Sequence, residues 1–188
     1  MAKTSSSRDR SPGVGWALDP DTRGAVLWQY RAGKGSALGG MEFGSAVDAE
    51  HAYFAVSDTL GPVPGGLHAV KLTDGSRAWY AAPPPVTCAA AAGRGCNAAL
   101  LGAITVIPGV VFTGSNDGGV RAYSTRDGSL VWEYDTNRSF ETVNGVPAKG
   151  ASINGPGPIV VGGMLYINSG YGALGGRPGN VLLAFGLP

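Results

Sequence analysis

Two stretches of the chain carry one pattern: "LHAVKLTDGSRAWYA" (67–81) and "VRAYSTRDGSLVWEY" (120–134). Aligned, they match at Ala69 and Ala122, Asp74 and Asp127, Gly75 and Gly128, Ser76 and Ser129, and Trp79 and Trp132. Each reads as a strand-like run, an Asp-Gly turn and a second run ending in an aromatic pair, which is a β-hairpin. "GWALDPDTRGAVLWQY" (15–30) is a third copy, with one extra residue between Ala17 and Trp28 that falls in its turn. "VLLAFGLP" (181–188) opens like the first half of a fourth, with Ala184 in the alanine position. The repeat length is roughly fifty residues.

Between these hairpins lies a second kind. "GSAVDAEHAYFAVS", "GAITVIPGVVFTG" and "GPIVVGGMLYINS" each read as strand, tight turn, strand, with turns at Ala49-Glu50, Pro108-Gly109 and Gly162-Gly163. Each period therefore holds four short antiparallel strands, and four such strands in about fifty residues make a propeller blade. No run has helical periodicity with caps, as a parallel sheet with crossover helices would require. The expected fold class is all-β: a β-propeller of four-stranded antiparallel blades with tryptophan-docking repeats, in a partial ring of about three to four blades. The blade strands are placed at 14–31, 41–82, 98–135 and 150–187, after a disordered polar tail at 1–13. The alanine is expected on the third strand, where a neighbouring blade leaves little room. The tryptophan is expected on the outermost strand, its ring covering the blade junction and burying roughly 200 Å². Structural clamping is favoured over ligand binding for these indoles.

Composition supports this reading. The 188 residues carry 14 Lys+Arg and 13 Asp+Glu, a formal charge of +1, so no basic block argues for nucleic acid or an anionic membrane. The 32 Gly and 13 Pro punctuate short apolar runs and do not form tracts, as expected of many short strands joined by turns. The longest apolar stretch, "AALLGAITVIPGVVFTG", is interrupted by Pro108-Gly109 and reads as two strands around a turn, not a membrane span. The head "MAKTSSSRDRSPG" has no apolar segment behind it and reads as no signal peptide.

The pattern Ala-x3-(Thr/Arg)-Asp-Gly-x3-Trp resembles the tryptophan-docking repeat of quinoprotein (pyrroloquinoline quinone-dependent) alcohol dehydrogenases, nearest to the polyvinyl alcohol dehydrogenases and to their C-terminal portion. The segments carrying the resemblance are 15–48, 83–123, 140–172 and 175–185. The repeat by itself is shared with non-enzymatic propellers of outer-membrane assembly factors. The resemblance implies oxidation of secondary or polymeric alcohols by hydride transfer to the quinone. It also implies Ca²⁺ at the quinone oxygens, a cytochrome c electron acceptor, and a periplasmic or secreted parent protein. The chain has no C-x-x-C-H and thus no covalent haem site. A partial ring implies that open blade edges are available for self-association. Two further readings are a non-enzymatic propeller that binds a partner protein and an inactive truncated fragment.

Blade geometry narrows the search for chemistry. The Asp-Gly turns lie on one face, so the opposite face receives the longer Gly-rich loops at 32–44, 57–66, 83–97, 115–119, 135–157 and 168–180. The cofactor-binding candidates in these loops are Glu42, Asn144, Lys149 and Asn154. Glu42, in "GGMEFG", is a carboxylate in an apolar run, able to bind Ca²⁺ or to pair with an arginine. Lys149 is a cation able to meet the cofactor's carboxylates, or a solvated loop lysine. Asn144 and Asn154 are amide donors, or turn formers beside Gly. Asp117 in "SNDGG" reads as a turn residue, and His51 and His68 are too isolated for a metal site or a triad. No residue is assigned as the catalytic carboxylate. Cys88 and Cys96 lie in an Ala/Gly/Pro loop, where a local disulfide is favoured over two free thiols and an oxidising compartment follows from it.

Overall fold

Alternation of side chains along a strand sends residues 69 and 70, or 122 and 123, to opposite faces of their sheet, and since all four are buried, these two strands are covered on both faces. The computed structural model describes residues 13–36, 39–86, 88 and 95–186. The proposed tail falls on residues outside these except Gly13, which is buried and whose carbonyl accepts the Ala32 and Gly33 amides.

The first sheet pairs β1 (Val14–Asp19) with β2 (Ala25–Arg31). The second runs β3 (Ala46–Val47), β4 (His51–Ala55), β5 (Leu67–Lys71) and β6 (Arg77–Ala81) in that order. After β7 (Leu101–Gly102), the third runs β8 (Thr105–Ile107), β9 (Val110–Gly114), β10 (Gly119–Ser124) and β11 (Leu130–Asp135). A small hairpin, β12 (Ser139–Phe140) with β13 (Ala148–Lys149), and β14 (Asn154–Gly155) precede the fourth sheet. That sheet holds β15 (Ile159–Val161), β16 (Met164–Ser169) and β17 (Val181–Gly186). All pairings are antiparallel except β7 with β14. Among the described residues the only helical turn is a 3-10 turn at Ala173–Gly175. These four sheets hold two, four, four and three strands.

The hydrophobic clusters lie between sheets. Phe54 and Val70 meet Trp28 and Tyr30 at the first junction. Tyr53, Leu67, Trp79, Val111 and Tyr123 fill the second. Val120, Ile153, Leu165 and Ile167 fill the third with Trp132 and Phe185.

The structure sharpens the role of the repeated alanine. Ala69 sits in register between Tyr53 and Trp79, and Ala122 between Phe112 and Trp132. Ala17 faces Trp28, and Ala184 faces Tyr166. The small residue is therefore required first by aromatic side chains on the strands beside it. A bulge follows each of Ala17, Ala69 and Ala122 and turns the outer strand toward the next sheet. The indole of each sheet then docks on the next. Trp28 Nε1 donates to the Leu72 carbonyl (2.9 Å) and Trp79 Nε1 to that of Thr125 (2.8 Å). The Asp-Gly glycines lie beneath these rings: a Cβ on Gly75 would be 2.8 Å from Trp28, and one on Gly128 would be 2.5 Å from Trp79. Gly75 and Gly128 thus serve both the turn, at φ +73° and +72°, and the seat of the preceding indole.

Candidate functional site

Each of the last three sheets is reached through a lead-in segment, at 39–44, 98–104 and 151–157. The same hydrogen bonds recur along them. The Ser57 amide donates to the Gly40 carbonyl (2.8 Å), Asn116 to Ala99 (2.9 Å) and Gly170 to Ser152 (2.8 Å). Leu100 donates to Val56 (3.2 Å) and Ile153 to Ser115 (3.0 Å), tying the second and third lead-ins to the preceding sheet. Ile104 also donates to Gly44 (3.4 Å) and Ala103 to Gly155 (3.0 Å), while Leu101 and Asn154 pair across β7 and β14. The three lead-ins therefore lie side by side with Glu42, Leu101 and Asn154 at corresponding steps. They form a rim on the side of the first strands, at the end that carries the Gly-rich loops.

Buried polar atoms without partners gather on this rim. Asn154 is 1% exposed; its Nδ2 donates to the Ala173 carbonyl (2.7 Å), and its Oδ1 has no partner. Asn116, also 1% exposed, donates to Asn97 Oδ1 (3.4 Å) and leaves its own Oδ1 unpartnered. Arg177 donates its amide to Ser152 Oγ (2.7 Å) and Nη2 to the Asp117 carbonyl (3.1 Å), with Nε buried and unpartnered. Gly176 brings these groups together. A Cβ there would lie 2.5 Å from Asn154 Nδ2 and 3.0 Å from Asn116 Oδ1, so a larger residue would push the 168–180 loop off the amides. Glu42 Oε1 and Ser57 Oγ are likewise buried without partners, and burial pushes the Glu42 carboxyl above the usual carboxylate range. An unpaired buried polar group costs about 1–3 kcal/mol. Several such groups gathered on one rim make it the candidate site.

Beneath Asn116, Asp117 is more than a turn former. It is fully buried, and its Oδ2 accepts Arg121 Nη2 at 2.8 Å. Arg121, itself fully buried, also pairs with Glu133 (2.6 Å) and reaches the Pro85 carbonyl (3.5 Å). The guanidinium holds the Asp117 carboxyl below its usual range. Asp58 stands at the corresponding place in the second sheet and instead accepts the Lys34 and Gly35 amides (2.8 and 3.1 Å). His68 is buried and accepts or donates at Nδ1 with the Tyr30 hydroxyl (2.8 Å), bridging the first two sheets. His51 lies 4.0 Å from Asp48.

The other sequence-derived candidates lie apart from the rim. Asn144 is exposed, and its Oδ1 accepts the Val146 amide (3.2 Å) and the Thr142 hydroxyl (2.6 Å), the turn-forming alternative. Lys149 is exposed on β13, and its backbone amide donates to Asn180 Oδ1 (2.8 Å). Cys88 and Cys96 are bridged, with Cα atoms 5.9 Å apart. Gly95 packs on the Gly175 carbonyl and Arg177, so the bridged loop abuts the rim. Sequence reasoning passed over Asn97, Asn116 and Arg177. A signal for the rim was present in the alignment of "GGMEFG", "AALLGA" and "ASINGP", where polar Glu42 and Asn154 take the place of Leu101.

No family model matches the chain. A polyvinylalcohol dehydrogenase of Pseudomonas sp. is 44% identical over 92% of this chain and 29% of its own length. One from Sphingopyxis sp. is 38% identical over the same shares. The chain thus spans less than a third of the length of these curated relatives. Among solved structures, BamB from Moraxella catarrhalis superposes with a TM-score of 0.57 at 20% identity, over 85% of this chain and 41% of that one. A quinohemoprotein alcohol dehydrogenase from Pseudomonas putida also gives 0.57 at 20% identity, over 84% of this chain and 25% of that one. These likenesses show the propeller fold, and the sequence relatives narrow it: the chain belongs to the family of β-propeller proteins that includes the polyvinyl alcohol dehydrogenases.

Proposed function

We propose that this chain is a sector of a quinone-dependent dehydrogenase that oxidises secondary or polymeric alcohols such as polyvinyl alcohol. The observation that carries the reading is 44% identity, along nearly the whole chain, to a protein named polyvinylalcohol dehydrogenase. The rim chemistry is compatible with the implied groups. Glu42 Oε1, Asn116 Oδ1 and Asn154 Oδ1 are hard oxygen donors of the kind Ca²⁺ takes, and Arg177 is a cation suited to a carboxylated quinone. These four residues would hold the cofactor and its metal. When bound, pyrroloquinoline quinone would supply the two-electron acceptor for the alcohol carbon. The chain's own contribution is placement: Arg177 and Gly176 close the 168–180 loop onto the two amides, and the Asp117–Arg121 pair holds Asn116 beside them. Asn144 and Lys149 take no part in this reading. Because the relatives are much longer, turnover, substrate entry and transfer to a cytochrome c are assigned to the complete ring. The Cys88–Cys96 bridge suits a periplasmic or secreted setting.

A second reading is a propeller that binds a protein partner without catalysis, since the likeness to BamB shows the same fold and no activity. Titration with pyrroloquinoline quinone and Ca²⁺, followed by absorbance and paired with dye-linked alcohol oxidation, separates the two. Saturable quinone binding that Asn154→Ala and Asn116→Ala each weaken about tenfold, the value of one hydrogen bond to a charged ligand, is expected. Absence of Ca²⁺-dependent binding in the wild type would favour the partner-binding propeller.

A further inference from the structure

One buried hydroxyl on the rim has no counterpart in the other repeats. The hydrogen bonds that align the lead-ins put Gly40, Ala99 and Ser152 at one step, since their carbonyls accept the amides of Ser57, Asn116 and Gly170. Only Ser152 carries a polar side chain there. It is fully buried, and its hydroxyl both donates and accepts: Oγ donates to the Asn116 carbonyl (2.6 Å) and accepts the Arg177 amide (2.7 Å). Its main chain grips the same loop, the amide donating to the Arg177 carbonyl (3.3 Å) and the carbonyl accepting the Gly170 and Tyr171 amides (2.8 and 3.1 Å). Asn116 is therefore held from two lead-ins, its amide by Ala99 and its carbonyl by Ser152.

We infer that Ser152 is a positioning residue: its hydroxyl fixes Asn116 and Arg177 against each other and thereby sets the affinity of the rim for its ligand. The inference deepens the cofactor reading given above and rests on it. Ser152 stands between the two loops that carry unpartnered atoms, Asn116 Oδ1 on the loop from β9 to β10 and Arg177 Nε on the loop from β16 to β17. Asn154, with its own unpartnered Oδ1, follows two residues along the same lead-in. A Cβ on Gly176 would lie 3.0 Å from Ser152 Cβ, 3.0 Å from Asn116 Oδ1 and 2.5 Å from Asn154 Nδ2, so serine and both amides crowd one small volume. A hydroxyl suits the bridge because a single atom both donates to a carbonyl on one loop and accepts an amide from the other. Folding does not require it. Ala99 occupies the equivalent step, fully buried, and its carbonyl still holds the Asn116 amide at 2.9 Å. Without Oγ, the Asn116 carbonyl and the Arg177 amide lose this shared partner, and the two loops are no longer held in one register.

Ser152→Ala installs the residue that the second lead-in already carries, and two readouts on the intact chain test it. Without ligand, hydrogen exchange of the Arg177 amide should quicken by about tenfold or more relative to that of Gly170, whose bond to the Ser152 carbonyl persists. With pyrroloquinoline quinone and Ca²⁺, followed by absorbance, affinity should fall about 10–100-fold, the usual effect of removing an outer partner of a binding group. Added to Asn116→Ala, Ser152→Ala should cost less than it does alone, because it acts partly through that amide. Thr136→Val is the structural control. It removes another fully buried hydroxyl, one bonded to the Gly118 carbonyl and Ser169 Oγ (both 2.6 Å) and to none of Asn116, Asn154 or Arg177. Its effect on affinity should stay within about twofold. Unchanged Arg177 exchange in Ser152→Ala, an equal loss of affinity in Thr136→Val, or full additivity with Asn116→Ala would overturn the inference. A wild type that binds no quinone would instead sink the cofactor reading, and the exchange result alone would then decide whether Ser152 positions the two loops.

Discussion

If Gly75 and Gly128 are seats for the preceding indole as well as turn residues, the two roles can be separated by a double-mutant cycle at Trp79 and Gly128. Trp79 is 9% exposed and docks on the next sheet through Nε1 and its ring face. Trp79→Ala is expected to cost about 3–5 kcal/mol, the range for deleting a buried aromatic. Gly128→Ala meets two penalties in the wild type. Its φ of +72° costs about 1–2 kcal/mol for a residue with a Cβ. The Cβ would also stand 2.5 Å from Trp79 Cε3, which adds an overpacking cost of about 1–3 kcal/mol. In the Trp79→Ala background only the backbone cost remains, so the cycle should show a coupling of about 1–3 kcal/mol. Gly109→Ala isolates the backbone cost, since Gly109 has φ +86° with nothing within 4 Å of a built Cβ. Trp16→Ala is the matching control for tryptophan, since Trp16 is 54% exposed and should cost under about 0.5 kcal/mol. Urea denaturation midpoints at constant m measure all five variants. The docking argument fails if Gly128→Ala costs the same with and without Trp79, or no more than Gly109→Ala.

Two further predictions concern buried titratable groups. Burial, with the nearby Arg77 charge, lowers the His68 pKa from 6.5 to about 4, so the unfolded state binds the proton first as pH falls. Stability from this group is complete above pH 6.5 and falls by up to about 3 kcal/mol on descending to pH 4, a slope that His68→Asn should remove in acid-denaturation curves. For the fully buried ion pair, Arg121→Met strands Asp117 and should cost about 3–5 kcal/mol, whereas adding Asp117→Ser to it should recover part of that loss. A double variant no more stable than the single one in urea would show that the pair is not what Arg121 supports.

The architecture was legible because its determinants are local and repeated. Spacing from Ala to Trp sets cross-strand register, and Asp-Gly marks the turn, so strand count and order follow from counting. The repeat did not reveal what lies on either side of the alanine. Tyr53 reaches Ala69 across the long 57–66 loop and Phe112 reaches Ala122 across the short turn at 115–118, and only pairing shows them as flanking aromatics. The candidate site was half legible. Glu42 and Asn154 stand out as polar residues in apolar lead-ins, but Asn144 precedes a Gly as Asn154 does and was indistinguishable from it by local sequence. Their difference is tertiary: Asn144 serves its own turn, while Asn154 is buried by Gly176 and the 168–180 loop. Asp117 looked like a turn residue because its partner is Arg121 on the following strand, and nothing in "SNDGG" announces a buried arginine.

In a repeat protein the shared positions describe the scaffold, so function is to be sought where one repeat departs from the others. Two sets of departures occur here, and satisfaction of polar atoms divides them. Immediately before the repeated alanine stand Trp16, His68, Arg121 and Leu183. The polar members of that set are engaged, His68 with Tyr30 and Arg121 with Asp117 and Glu133. They fix particular junctions, at the desolvation cost that their partners offset. At the lead-in position stand Glu42, Leu101 and Asn154, and the polar members each keep a buried oxygen without a partner. Leucine at the middle position shows that this step of the backbone accommodates an apolar residue, so folding does not require the flanking carboxylate and amide. Groups that folding does not require, and that carry a standing desolvation penalty, are best explained by a ligand that relieves it. This is the ground on which we propose the rim of lead-ins, and not the tryptophans that made the fold recognisable, as the place of the propeller's chemistry.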